Sequence, residues 1–68
     1  MTRVLKNSVY DVRIKKDITQ EELARAVGVT RQTIISIEKG NYTPSVGLAI
    51  LLADFFSTTI EKLFWYDK

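Results

Sequence analysis

Between Thr19 and Gly40 the chain reads TQEELARAVGVTRQTIISIEKG, and its helix starts and stops lie so close together that few arrangements remain open to it. The Thr19 side chain can accept the free amide of Glu22 while Glu22 reaches back to Thr19, a reciprocal pairing that opens a helix. Gly28 can leave that helix with a positive φ, Thr30 caps the next one, and Gly40 stops it. Two short helices crossing steeply over a turn of about three to four residues need a small side chain where they touch, a glycine at the turn and branched apolar residues facing back. Ala24, Gly28, Ile34 and Ile37 fill those places in order, and Leu23, Val27 and Val29 complete a miniature core.

The flanking sequence extends the helical pattern. A first helix is expected over about residues 7 to 16, with Val9 and Val12 on one face, Asn7 or Ser8 as cap and Asp17 as its end. Residues 41 to 44 form a loop, and Ser45 caps a fourth helix running to about Phe56. A short fifth helix around Leu63 opens at Thr58, which would form another capping box with Glu61, or at Thr59; the residues leave both open. At 68 residues this is one domain, near the size where a single core is only just sufficient. The chain lacks Cys and His, so disulfides, thiolate or imidazole metal sites and the commonest general base are all missing. No cluster of carboxylates, lysine and serine suggests a cleft, so neither an enzyme nor a metal or cofactor site is expected. Apolar residues, 46% of the chain, are spread through it without a bilayer-length run or a secretory leader, which points to a cytoplasmic protein. The net charge of +2 is compatible with a polyanionic partner but too small to indicate one. Charge placement must carry that argument.

The runs TQEELA, VGVTRQTIISIEKG, NYTPS and the closing TIEKLF fall at the spacing of the Cro/cI-type, or Xre-type, helix-turn-helix family, which this chain resembles over residues 7 to 64. It is most similar to the compact members of the cytolysin-repressor kind. The resemblance implies an all-α, five-helix lambda-repressor-like domain, nearly the whole protein, that binds double-stranded DNA and regulates transcription as a repressor. A helix lying in the major groove should carry donors and acceptors on its outward face. Arg31, Gln32 and Ser36, with Thr33 beside them, are such positions, and no carboxylate falls between Arg31 and Ser36 as it ordinarily would on a merely solvated face. Arg31 suits guanine O6 and N7, and Gln32 suits adenine N6 and N7. Ile35 departs from the usual polar residue and would meet a thymine methyl or a neighbouring subunit.

By resemblance, Gln20 and the loop residues Asn41, Tyr42 and Thr43 approach the DNA backbone; Thr30, Arg13, Lys39 and Lys15 are further candidates for backbone contact. Tyr10 stands where relatives often carry a basic residue. Relatives also carry an arginine and a glutamate where this chain has Arg13 and Glu38, which implies a partly buried ion pair that clamps the recognition helix.

The apolar residues left over from the core suggest a homodimer. Val46, Ala49, Leu52, Ala53 and Phe56 suffice for the inward face of the fourth helix, yet Ile50, Leu51 and Phe55 are apolar too. Residues Thr2 to Leu5 are expected to pair with Phe64 to Tyr66 as a small antiparallel sheet, as in compact relatives. Leu51, Phe55, Phe64 and Trp65 are the candidate two-fold interface, and a two-fold dimer would read a near-palindromic operator. The rival reading is an antitoxin or interaction module that uses the same fold to hold a protein partner, such as a toxin or signalling protein.

Overall fold

A computed structural model describes residues 3 to 67 of the chain. The elements run β1 (Leu5–Asn7), α1 (Val9–Lys15), α2 (Gln20–Val27), α3 (Arg31–Glu38), α4 (Val46–Phe55), α5 (Ile60–Leu63) and β2 (Phe64–Tyr66). Each of α2 to α5 begins at a hydroxyl cap in extended backbone. Thr19, Thr30, Ser45 and Thr59 accept the backbone N–H of Glu22, Thr33, Leu48 and Lys62 respectively. At α2 the full capping box forms, with the Glu22 carboxylate accepting the Thr19 N–H at 2.8 Å. Thr59, and not Thr58, therefore opens α5.

The four longer helices end alike. A residue with positive φ turns the chain out, and the next N–H donates to the carbonyl five residues back: Asp17 before Ile18 to Arg13, Gly28 before Val29 to Ala24, Gly40 before Asn41 to Ser36, Ser57 before Thr58 to Ala53. These bonds satisfy carbonyls that a helix end leaves free. Two of the four positive-φ positions are glycine, where a Cβ would be strained even though space is open around it.

Val9, Leu23, Ala24, Val27, Ile34, Ile37, Leu48, Ala49, Leu52, Ala53, Phe56, Leu63 and Phe64 form the core. Its largest fully buried side chains, such as Leu23, Ile34, Ile37, Leu52 and Leu63, each contribute about 1.5–3 kcal/mol relative to exposure. Ala24, 3% exposed, lies where α2 meets α3. On α4 the buried arc is Leu48, Ala49, Leu52, Ala53 and Phe56. Val46, expected inward, is 74% exposed, and Leu48 takes its place. The helix is apolar on every side, so its composition did not reveal which arc would turn in.

The sheet is antiparallel, with Leu5 opposite Tyr66, Lys6 opposite Trp65 and Asn7 opposite Phe64. It starts later than the expected Thr2 to Leu5, and Thr2 lies outside the described residues. One bond, from the Asp67 N–H to the Val4 carbonyl at 2.9 Å, continues the pairing toward the ends. Because successive strand residues face opposite ways, Asn7 and Phe64 share one face while Lys6 and Trp65 share the other. Phe64 is buried in the core of its own chain and Trp65 is exposed. Residue 7, expected at the start of the first helix, belongs to β1, and Ser8 is the N-cap of α1 without a side-chain capping bond.

Candidate nucleic-acid interface

At about 3.6 residues per turn, Arg31, Gln32, Ile35, Ser36 and Lys39 fall on one side of α3 and its C-cap, and Ile34 and Ile37 fall on the other. The burial follows that division. Arg31, Gln32 and Lys39 are exposed, Ile35 and Ser36 half-buried, and Ile34 and Ile37 wholly buried. Neither Arg31 nor Gln32 has a side-chain hydrogen bond or ion pair among the described residues, so their donors and acceptors are uncommitted. Thr33 is different. It is half-buried, and its hydroxyl lies 3.0 Å from that of Thr30, which also caps the helix.

The opposite end of α3 is tied from behind. Arg13 Nε donates to Glu38 Oε2 at 2.7 Å, Arg13 Nη2 to Glu38 Oε1 at 3.2 Å, and Arg13 Nη1 to the Ile18 carbonyl at 2.9 Å. The two charged side chains are only 8% and 6% exposed. Gln20 Nε2 donates to the same Glu38 Oε1 at 3.1 Å, and the Tyr10 ring lies against the guanidinium, 5.3 Å from Cζ to its centroid. The hydrogen bond to Glu38 raises the basicity of Arg13 above its ordinary value despite the opposing effect of burial. A buried pair of this kind is retained in place by geometry and satisfied hydrogen bonds, and loss of one member strands the other. The guanidinium is thus engaged inside the protein, by the Glu38 carboxylate and the Ile18 carbonyl.

Tyr10, Arg13, Ile14, Thr19, Gln20, Glu21 and Arg31 line a shallow groove where α1, the start of α2 and the first residue of α3 come together. Thr30, Lys39 and the loop residues Asn41, Tyr42 and Thr43 are exposed beyond α3, as is Lys15 on α1. Sequence reasoning read Gln20 as an outward residue and Tyr10 only as a missing charge, because their partners are far away in the chain. It also missed Asn7, whose amide donates to the carbonyl of Ile37 at 3.0 Å. A capping signal at residue 7 was legible, but its long-range half was not.

Leu51, Phe55 and Trp65 are exposed to 50%, 40% and 43%, while Phe64 is 8% exposed and unavailable to a neighbouring molecule. Val46 and Ile50 extend the apolar outer side of α4. No helix among the described residues is long and apolar enough to cross a membrane.

A family model described as helix-turn-helix matches residues 9–63. An uncharacterized HTH-type transcriptional regulator of Methanocaldococcus jannaschii is 49% identical over 63 residues, covering 93% of this chain and 96% of its own. The cryptic phage CTXphi transcriptional repressor RstR of Vibrio cholerae is 33% identical over 57 residues, covering 84% of this chain and 51% of its own. Among solved structures, the clp gene regulator ClgR from Corynebacterium glutamicum superposes with a TM-score of 0.74 at 23% identity, over 78% of this chain and 56% of that one. That last likeness concerns the fold.

Proposed function

This chain belongs to the helix-turn-helix family of Cro/cI-type transcriptional regulators, and from that premise we propose that it binds a near-palindromic operator as a homodimer and represses transcription by occupying it. The observation that carries the reading is the uncommitted outer face at the start of α3, where Arg31 and Gln32 stand exposed. In the major groove Arg31 pairs with guanine O6 and N7, Gln32 with adenine N6 and N7, and Ile35 with a thymine methyl. Ser36 adds a hydroxyl at the same edge, and Thr33 supports Thr30 at the helix start. Lys39, Thr30 and the loop residues Asn41, Tyr42 and Thr43 hold phosphates, which fix register without reading sequence, while Gln20, whose amide donates to Glu38, helps to hold α3. Arg13, turned inward, serves the backbone contact by holding α3. Repression is favoured over activation because RstR, a relative at 33% identity, is named a repressor.

The second copy covers the outer side of α4. Val46, Ile50, Leu51 and Phe55 leave that side apolar, interrupted by Asp54, and extended apolar surface is rare on a free monomer. Leu51, Phe55 and Trp65 form the two-fold contact; Phe64 contributes only from behind, by holding β2 in the core. A two-fold pair presents its recognition helices about 34 Å apart, one turn of DNA. Sedimentation at micromolar concentration should give twice the mass of one chain, and two chains per operator. Leu51→Glu should give a monomer that binds the operator weakly. A wild-type monomer occupying one asymmetric site would contradict the dimer and leave the helix-turn-helix assignment standing. A stable complex with a different protein on this face, excluding the second copy, would favour an interaction module instead.

A further inference from the structure

Asn7 closes β1 opposite Phe64 and is half-buried on the core side of the sheet. Its amide joins two helix ends. Oδ1 accepts the N–H of Val9, the first residue of α1, at 3.1 Å, and Nδ2 donates to the carbonyl of Ile37, in the last turn of α3, at 3.0 Å. Helix starts leave N–H groups free and helix ends leave carbonyls free, so the oxygen and nitrogen ends of one amide each meet the group they need. Turning the amide over would set donor against donor and acceptor against acceptor, which fixes its orientation. The Ile37 carbonyl also accepts the Gly40 N–H at 3.0 Å, part of the turn by which the recognition helix ends.

Other ties to α3 come from α1, through Arg13, and from α2, through Gln20. Among the described residues, the bond from Asn7 is the one hydrogen bond that reaches α3 from the sheet. The same sheet carries Trp65 on its outer face, opposite Lys6. One side chain thus connects the strand pair that bears a proposed dimer contact to the helix that reads DNA.

We propose that Asn7 is a positioning residue for operator recognition: it fixes α3 relative to the sheet and so sets the spacing at which two recognition helices meet their half-sites. The spacing role rests on the two-fold reading above. Asn7→Ala removes both bonds, while Asn7→Asp keeps an acceptor for Val9 and loses the donor to Ile37. Ser8→Ala is the control, since the Ser8 hydroxyl bonds the Lys62 carbonyl at 3.2 Å and does not touch α3.

Two measurements on the whole chain test this. The first is hydrogen exchange at the Gly40 and Asn41 amides in free protein. Both Asn7 variants should speed it by about tenfold, the factor that one lost hydrogen bond of ordinary strength represents, and Ser8→Ala should not. The second is affinity for a single half-site, for the optimal palindrome and for palindromes with the spacer lengthened or shortened by one base pair. Both Asn7 variants should lose about tenfold on the optimal palindrome, little on the half-site, and much of the discrimination among spacers. Unchanged exchange at Gly40 and Asn41, or full retention of wild-type spacer discrimination, would overturn the proposal. Equal wild-type affinity for full and half-sites would instead refute the two-fold reading, and the spacing role would fall with it.

Discussion

The two ends of α3 are built on opposite terms. At its start, Arg31 and Gln32 are exposed and bound to nothing else among the described residues; at its end, Glu38 is buried under Arg13 and Gln20, and the Ile37 carbonyl is held by Asn7. Base readout needs side chains free to exchange water for base edges, whereas discrimination between bases needs the helix that carries them to be stationary. Freedom at one end is useful because the other end is fixed. The polar groups of the buried end are also fully satisfied, with no buried side-chain nitrogen or oxygen among the described residues left without a partner.

The hardest way to break this contrast is at the buried end. Arg13→Ala strands the Glu38 carboxylate and should destabilise the fold by about 3–5 kcal/mol, seen as a large fall in the thermal midpoint. Replacing both partners by apolar residues of similar size should recover much of that loss, since no charge is then left unpaired. Next comes the free end. Arg31→Ala should leave the melting curve unchanged and cost about 1–3 kcal/mol of specific binding, with relaxed preference at one base pair. A fall in stability of comparable size would show that Arg31 has a structural task. Lys39→Ala should weaken binding similarly on every sequence and reduce the salt slope by about one.

The smallest effect lies outside α3 and sharpens the comparison from α2. Glu22 is held below the ordinary carboxylate range, mainly by the Thr19 backbone N–H and then by the Thr19 side chain. A lowered pKa in the folded state means a stabilising contribution that is present above the unfolded value, about 4.3, and lost as pH falls through the folded value. The stability advantage of wild type over Glu22→Ala should therefore be present at neutral pH and shrink as the solution is acidified below that range. An advantage that grows with acidification would reverse the assigned sign.

What could be read from the chain was what its neighbours in sequence decide. The Thr19 capping box, the Thr30 and Ser45 caps and the stops at Gly28 and Gly40 rest on contacts within a few residues, and each appears in the structure. The outward positions of α3 were legible for the same reason, because helical period alone separates Arg31 and Gln32 from Ile34 and Ile37. Asp17, expected as the end of the first helix, does turn out of α1 with positive φ, whereas Ser57, which does the same after α4, carries a weaker signal than glycine does. Val46 and Leu48 could not be told apart as core residues on a helix that is apolar all round. Phe64 and Trp65 were treated alike, although the pleat sends one inward and the other outward, and the strand that fixes this pairing begins at Leu5. The uses of Gln20 and Asn7 depend on partners 18 and 30 residues away, which no local pattern records.

The claim that this molecule reads DNA sequence through the start of α3 meets its most direct test in selection of bound duplexes from a random pool, at two salt concentrations, with wild type and Arg31→Ala side by side. Wild type should enrich one near-palindromic sequence, bind it more weakly at the higher salt, and lose selectivity at one position of each half-site when Arg31 is replaced. Failure of wild type to enrich any sequence at low salt, or an identical enriched sequence from Arg31→Ala with undiminished preference, would contradict it.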